Sequence, residues 1–351
     1  MDEVRQYKTA GGFRAALETR LQKRAHEEAT DLQRLRRQVA FDRLLARLFP
    51  KGPKGTYPWM LKGGYVMELR IRSARTTKDI DLTLHDGTRL SKDPGERRQQ
   101  VRGMLQDAAS IQLHDYFEFL IGEAREDMDG APEGGSRYSV EARMDGREFA
   151  RFHVDIGIGD EVLEPLDEVK ARDWLGFGGI APPSLPVISG EQQFAEKLHA
   201  YSLARLDRLN TRTKDLIDMI LLIQRGTLDE SRLSGAIEAT FARRATHAVP
   251  RLLGDPPAKW ERVFAAVAAM STRNSVPSQF VRPTLDSRAR HCQLAGFGQP
   301  RLSKPDTAKQ ILKARIITDG IEERMHFEPL QNAFLSLIRS LKPHERLVIV
   351  A

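Results

Sequence analysis

Apolar residues recur every three or four positions along residues 9–48, which is the spacing of an amphipathic helix. Strict alternation of apolar and polar residues instead predicts strands at 77–84, 117–121, 137–142 and 149–158. The helical spacing returns at 97–113, 191–206, 211–223, 230–245, 257–270, 307–317 and 328–341. The pattern therefore predicts an α+β protein with its strands in the middle of the chain.

The order of these elements divides the chain into four predicted parts. Residues 1–55 form a helical lead-in, and residues 56–188 form an α/β core. The prolines within 182–186 mark the end of that core, because clustered prolines resist both a helix and an inner strand. Residues 189–272 form a helical domain that completes a cleft with the core, and residues 273–351 form an extension without an assigned role. We expect a small mixed sheet flanked by helices, followed by a helical C-terminal region.

Carboxylates occupy the polar faces of two predicted strands. Alternation puts Asp79 and Asp81 side by side, opposite the apolar residues of their strand. Two such carboxylates on a half-buried strand repel each other unless a cation neutralises them. Mg²⁺ is the natural cation, because it is commonly bound by one or two carboxylates plus substrate phosphates. Asp155 supplies a third carboxylate from a later strand, whereas its neighbour His153 is interpreted as structural.

Two glycines precede the carboxylate strand. Gly63 and Gly64 let backbone N–H groups approach phosphates without a Cβ in the way. An Asp-x-Asp pair alone is also consistent with the polar face of an edge strand. The chain contains no Gly-x-x-x-x-Gly-Lys-Ser/Thr loop, no His-Glu-x-x-His and no Gly-x-Ser-x-Gly, so other common catalytic motifs do not compete.

The composition of the chain indicates a polyanionic partner. The net charge of +7 and the pI near 9.5 favour attraction to phosphates. The arginines of the first helical stretch fit a solvated face or a nucleic-acid groove; they are Arg34, Arg36, Arg37, Arg43 and Arg47. A single cysteine excludes an internal disulfide. The N-terminus lacks an apolar run and no apolar block is long enough to span a bilayer, so we expect a cytoplasmic protein without membrane contact.

The ordered motifs resemble the AbiEii/AbiGii toxin family of nucleotidyltransferases. The family's Lys-Gly-Gly-Thr corresponds to Lys62, Gly63, Gly64 and Tyr65, and the last of these departs from the pattern with a phenol that we expect to reshape the phosphate site. The remaining matches are Arg75, Thr77, Asp79, Ile80, Asp81 and Leu82, then Glu196, Lys197, Leu198 and Ala200, then Arg212, Asp215, Leu216 and Asp218. The resemblance covers roughly residues 10–270.

The resemblance implies a nucleotidyltransferase fold and transfer of a nucleoside monophosphate from an NTP, with release of pyrophosphate. Asp79 and Asp81 would hold Mg²⁺, and Asp155 would bind a second ion or act as the base. Lys197 would contact the triphosphate, and Asp218 is a second candidate base. The implied nucleotide contacts are Lys62, Gly63, Gly64, Arg75, Thr77, Lys197 and Asp215.

The acceptor and the biological setting also follow only from the resemblance. It implies an RNA acceptor hydroxyl, especially the 3′ end of tRNA, and a cognate antitoxin in a toxin-antitoxin or phage-defence pair. Two alternatives stay open on the residues alone. The acceptor is a protein or a small molecule in one, and the chain is a non-catalytic nucleotide-binding or RNA-binding regulator in the other.

Overall fold

A computed structural model describes residues 7–71, 76–84, 87–127, 131–203, 212–225 and 228–250 of the chain. Within these ranges the chain forms one mixed sheet of seven strands and seven α-helices. The helices are α1 (Ala10–Glu27), α2 (Leu32–Leu48), α3 (Gly63–Arg70), α4 (Pro94–Ala109), α5 (Gly190–Ser202), α6 (Thr213–Arg225) and α7 (Glu230–Arg244). The strands are β1 (Trp59–Lys62), β2 (Asp79–Leu84), β3 (Phe117–Asp127), β4 (Gly135–Met144), β5 (Arg147–Ile158), β6 (Asp167–Lys170) and β7 (Ser184–Val187).

The predicted helical lead-in consists of two helices, α1 and α2. Asp31 caps α2 by accepting a hydrogen bond from the backbone N–H of Arg34 at 2.9 Å, and Thr9 caps α1 in the same way. The helix predicted at 97–113 is α4, which begins and ends earlier. The helices predicted at 257–270, 307–317 and 328–341 lie outside the described residues, and the four-part division of the chain stays a prediction.

The strand order across the sheet is β3-β4-β5-β2-β1-β7-β6. Strand β2 is central, parallel to β5 and antiparallel to β1. The expectation that the prolines at 182–186 exclude an inner strand is wrong, because β7 contains Pro186 and lies between β1 and β6. The missing N–H of Pro186 is tolerated there, since β7 meets β1 in register only at Leu61 and Val187.

Two apolar clusters hold the fold together. The first packs α1, α2 and α4 against the apolar face of the sheet, with Phe41 and Phe152 in edge-to-face contact at 4.8 Å. The second joins α5, α6 and α7, and Met67 of α3 belongs to it. Because Tyr65 and Val66 belong to the first cluster, helix α3 lies where the two clusters meet.

Four of the five arginines singled out in α2 do not form the solvated face or nucleic-acid groove that the sequence suggested, because they pair with acidic residues of this chain. Arg43 and Arg47 are buried and bind the buried carboxylate of Asp115 at 2.7 and 2.6 Å. Arg34 and Arg36 form ion pairs with Glu68 and Glu18, both at 2.8 Å. The arginines were misread because the helical period places them on the polar face, while their acidic partners come from other parts of the chain.

The helices in the described residues include none that is long and apolar enough to cross a membrane.

Candidate active site

Four charged residues form a row across the polar face of the sheet. Strand pairing puts Lys62 opposite Asp81, Asp81 opposite Asp155, and Asp155 opposite Arg137. Residues that face each other across neighbouring strands point to the same side of the sheet. The row therefore runs from cation to two carboxylates to cation, and Asp79 lies two residues before Asp81 on the same face. This arrangement brings Asp79, Asp81 and Asp155 to one part of the sheet, as predicted.

Asp81 is the electrostatic centre of the row. Its pKa is raised to about 6, first because burial disfavours the charged carboxylate and second because Asp155 carries the same charge. The backbone N–H of Gly64 and the ammonium groups of Lys62 and Lys197 act in the opposite direction. The local field at Asp81 thus favours binding of an additional positive charge.

The glycine turn is built around Asp81. Gly63 begins α3 with a φ of +72°, a conformation that glycine adopts without strain. A Cβ at this position would overlap the carboxylate of Asp81, so the close approach itself requires glycine. Gly64 donates its N–H to Asp81 Oδ2 at 3.1 Å, and Gln193 of α5 donates to the carbonyl of Gly63 at 2.7 Å. The turn fixes α3 and α5 beside the carboxylates.

The side chain of Arg137 neutralises Asp155. Its Nε and one terminal nitrogen donate to the two oxygens of Asp155, each at 2.7 Å, in a bidentate pair. A terminal nitrogen of Arg137 also lies 3.9 Å from Asp79. His153, interpreted as structural, places Nδ1 at 3.5 Å from the other oxygen of Asp79. Arg137 therefore provides the positive charge between two of the predicted metal ligands.

Helix α5 brings Lys197 to the site from the helical part of the chain. Its ammonium donates to Asp218 at 2.6 Å and to Asp215 at 3.3 Å, both on α6. Asp218 is fully buried, and Asp215 also contacts Arg212 at 3.5 Å. The carboxylates of α6 thus hold the ammonium whose charge partly opposes the rise in the pKa of Asp81.

Lys62 belongs to an ion cluster at the ends of β1 and β5. Its ammonium binds Asp160 and lies 3.4 Å from Glu196, and Arg244 binds Asp160 at 2.9 Å. Burial alone would lower the pKa of Lys62, but the charges of Glu196 and Asp160 outweigh it and raise the pKa. The cluster ties the sheet to α5 and α7 next to Asp81.

The other predicted site residues have different surroundings. The hydroxyl of Thr77 donates to the carbonyl of Asp79 at 3.3 Å, and Arg75 lies outside the described residues. The expectation that the phenol of Tyr65 reshapes the phosphate site is wrong. Tyr65 is buried in the core and donates to Asp42 of α2 at 2.6 Å.

The donor set is suitable for a hard divalent cation, although the described residues contain no group of three acidic or histidine side chains converging as metal ligands. Asp155 is turned toward Arg137, which leaves Asp79 and Asp81 as the pair nearest to that role. Two carboxylates completed by substrate phosphates are a common Mg²⁺ environment. Burial and the like charge of Asp155 raise the pKa of Asp81, and a cation bound beside the two carboxylates would oppose both effects.

Sequence reasoning missed Arg137, and the reason is a β-bulge. The hairpin between β4 and β5 turns at Asp145 and Gly146, both with positive φ, as a two-residue turn requires. Continuing that register without a break would pair Arg137 with Val154. The register shifts by one residue at Phe149, so that Arg137 faces Asp155 instead. The Asp-Gly pair in the sequence predicts the turn between β4 and β5, but it does not predict the shift in strand register.

Comparison with known proteins gives a family and several solved structures. A family model described as "Nucleotidyl transferase AbiEii toxin, Type IV TA system" matches residues 43–293, more than half of the chain. The match includes every strand and all of the row from Lys62 to Arg137. A comparison with curated proteins gave no match.

Two solved structures with similarity to the chain come from different bacteria. MenT4, a nucleotidyltransferase toxin from Mycobacterium tuberculosis H37Rv, is 18% identical over 92% of this chain and 98% of that chain, with a TM-score of 0.43. JHP933 from Helicobacter pylori is 16% identical over 70% of this chain and 90% of that chain, with a TM-score of 0.33.

Proposed function

The chain belongs to the AbiEii family of nucleotidyltransferase toxins from type IV toxin-antitoxin systems, and from this premise we propose that it transfers a nucleoside monophosphate to an RNA 3′ hydroxyl with Mg²⁺ as cofactor. Family membership makes it a nucleotidyl-transfer enzyme that uses an NTP and has an antitoxin as partner. The proposal adds the metal, the RNA acceptor, with tRNA as the first candidate, and a role in toxin-antitoxin or phage defence. The observation that carries it is the strand pairing that puts Asp81 beside Asp155, two residues after Asp79 and against the N–H of Gly64.

Asp79 and Asp81 are the proposed metal ligands. The bound ion would neutralise the triphosphate and polarise the phosphorus under attack. Asp79 is partly exposed, with 31% of its side chain accessible, so that a substrate phosphate can reach the same ion. Gly63 places Asp81 against the start of α3 and limits the orientations of its carboxylate. These contacts support a prearranged ligand pair rather than two independent surface acids.

Lys197 is the proposed partner of the triphosphate oxygens. An ammonium near the leaving pyrophosphate stabilises the negative charge that develops there. Asp218 is fully buried beneath Lys197, so we assign it the positioning of this ammonium instead of the role of base. Asp215, which is 14% exposed, makes the longer contact and is a proposed nucleotide-side neighbour.

Asp155 is the proposed base or second metal ligand, and Arg137 controls its availability. In the described arrangement both oxygens of Asp155 accept hydrogen bonds from Arg137. Each of these oxygens keeps a second lone pair that can accept a hydrogen bond from the acceptor hydroxyl, and release of Arg137 would free the charge of Asp155 for that proton or for a metal ion. We therefore propose that Arg137 moves toward the nucleotide or acceptor phosphate when Asp155 takes up its role.

A labelling experiment tests the proposed reaction. The purified protein is incubated with each α-³²P-labelled NTP, Mg²⁺ and total RNA, and the product is divided between ribonuclease and protease treatment. We expect a ribonuclease-sensitive label that requires Mg²⁺ and that falls by at least ~10³-fold in Asp81→Asn. If the label survives ribonuclease but not protease, the acceptor is a protein and the proposed RNA acceptor is wrong. Equal labelling by Asp81→Asn and wild type would refute the site.

Asp173→Asn is the matched control for charge and shape. Asp173 is exposed and caps a short turn through the N–H of Gly176 at 2.7 Å, away from the carboxylate row. The control should label RNA at the wild-type rate, because it removes the same charge without touching the proposed ligands.

A further inference from the structure

A groove of about 840 Å³ crosses β3, β4 and β5 and opens beside the proposed metal ligands. Asp79 and His153 line one end of it, and Leu120, on the far side, is an exposed apolar residue with 47% of its surface accessible. The groove is separate from the Lys197 side of the site, which belongs to α5 and α6. It therefore has the right position for a substrate that approaches the carboxylates from the side opposite the triphosphate.

Three cations line the groove without a compensating carboxylate. Arg37, Lys78 and Arg125 form no ion pair with another described residue. The Nε–H of Arg37 is buried and also lacks a hydrogen-bond acceptor within the described part of the chain. A buried donor without an acceptor is costly, and a ligand oxygen would satisfy it. This surface thus provides positive charge that no acidic side chain of the described residues neutralises.

The acidic residues of the groove are, by contrast, already engaged. Glu141 binds Arg143 and Arg151, and these arginines hold its pKa below the ordinary value. Asp31 accepts the N-cap hydrogen bond of α2, and Asp79 belongs to the carboxylate row. Four cationic and three acidic side chains line the groove, so a ligand meets a small excess of positive charge. Exposed Leu120 offers an apolar contact for a base.

We propose that this groove binds the single-stranded end of the RNA acceptor and directs its terminal hydroxyl to Asp79 and Asp155. The inference rests on the proposed function, because it identifies where the acceptor of that reaction lies. Arg37, Lys78 and Arg125 contact successive phosphates, and the apolar floor at Leu120 supports an unstacked base. Such contacts are made with the sugar-phosphate backbone of the RNA, so they give affinity with little preference for the RNA sequence.

The salt dependence of RNA binding tests the phosphate contacts. The triple variant Arg37→Gln, Lys78→Gln and Arg125→Gln is compared with Lys23→Gln, Lys92→Gln and Lys170→Gln, three exposed lysines outside the groove that change the net charge equally. The probe is a 5′-fluorescein 20-nucleotide RNA of mixed sequence, measured by anisotropy. We expect the slope of log K against log salt to fall by about 2 in the groove variant, since each phosphate contact on a single strand contributes ~0.7.

The same variants separate acceptor binding from nucleotide binding. Affinity for a non-hydrolysable NTP should be equal in both triple variants, and the KM for RNA should rise about tenfold or more only in the groove variant. The double variant Lys78→Gln and Arg125→Gln guards against misfolding, because both side chains are exposed. It should reduce the slope by about 1.4, which is two contacts of ~0.7. Equal slopes of log K against log salt for the groove variants and the control variant would contradict RNA binding by the groove.

A photo-cross-linker at Leu120 identifies the occupant. With p-benzoylphenylalanine at this position in the full chain, we expect an RNA cross-link. A cross-link to residues 251–351 of the same chain, or to the antitoxin but never to RNA, would overturn the proposal. Two outcomes distinguish this proposal from the proposed reaction. If wild type labels RNA and the groove variants bind and label RNA as wild type does, RNA binding by the groove is refuted and the proposed reaction is not. If wild type labels no RNA while the groove variants lose RNA affinity, the proposed reaction is refuted and RNA binding by the groove is not.

Discussion

Asp81 is partly buried and Asp115 is fully buried, and the surroundings of the two carboxylates are opposite. Asp115 binds Arg43 and Arg47 and accepts the N–H of Phe117 at 3.1 Å. Burial would raise its pKa, but the two arginines outweigh that effect and lower it. Asp81 has one backbone hydrogen bond and a carboxylate neighbour, and its pKa is raised to about 6.

The difference separates structure from function. A carboxylate whose charge is fully compensated by its own chain is costly to remove, because its cations are then left buried and unpaired, and it has no capacity left for a ligand. A carboxylate placed beside another carboxylate weakens the fold and is retained where a further cation or substrate completes it. By this criterion the Asp115 cluster connects α2 to the start of β3, while the Asp81 row is the part of the sheet to which we assign the proposed reaction.

The largest effect on stability is expected at Asp115. Asp115→Asn leaves Arg43 and Arg47 buried without their shared anion, which should lower the free energy of unfolding by about 3–5 kcal/mol. Urea unfolding monitored by circular dichroism measures the change. Asp81→Asn, which removes like-charge repulsion, should be no less stable than wild type in the same assay. A larger loss of unfolding free energy in Asp81→Asn than in Asp115→Asn would contradict the contrast between the two carboxylates.

A pH-dependent effect of intermediate size is expected at Asp42. The carboxylate accepts hydrogen bonds from Tyr65 and Trp174, yet burial raises its pKa from 3.8 to about 7. Between these values the folded protein keeps a proton that the unfolded chain has released, so stability falls as the pH rises through this window. Asp42→Asn has no such proton and should remove this part of the fall in urea titrations between pH 4.5 and 7.5.

The exposed Asp107 of α4 provides the control for this pH dependence. Asp107→Asn should retain the wild-type change of stability with pH. If Asp42→Asn and Asp107→Asn gave the same curve as wild type, Asp42 would not be protonated in the folded protein near neutral pH, and it would resemble Asp115 more than Asp81.

A smaller effect is expected at Arg137, where the row already contains a positive charge. Arg137→Gln removes the guanidinium that neutralises Asp155 and should raise the affinity of the NTP-free protein for Mn²⁺ about tenfold. Isothermal titration calorimetry measures it. Arg143→Gln on the same strand loses its contact with Glu141 instead and should bind Mn²⁺ as wild type does. Weaker Mn²⁺ binding in Arg137→Gln would mean that Arg137 orients the ligands rather than competing with the ion.

Alternation along single strands predicted the part of the site that depends on local geometry. Asp79 and Asp81 share a face because they are two residues apart, and Asp155 was placed on the polar face of its own strand by the same rule. The parallel pairing of β2 with β5 then brings Asp155 next to Asp81. These features follow from backbone geometry, so one sequence is enough to find them.

The missed features depend on contacts between distant parts of the chain. Arg43 and Arg47 are buried only because Asp115 reaches them across about 70 residues of sequence, as the separations of 72 and 68 show. Arg137 meets Asp155 only because of the bulge at Phe149. Strand β7 tolerates Pro186 because its pairing with β1 is so short. No local pattern contains this information, since each case is decided by the partner that the fold supplies.

The proposed metal site at Asp81 is tested most directly by Mn²⁺ binding in the presence of a non-hydrolysable NTP, measured by electron paramagnetic resonance on wild type and Asp81→Asn. Wild type should bind the ion, and Asp81→Asn should bind it at least ~10-fold more weakly while remaining as stable as wild type. Equal Mn²⁺ affinity in the two proteins would contradict the assignment of Asp81 as a metal ligand.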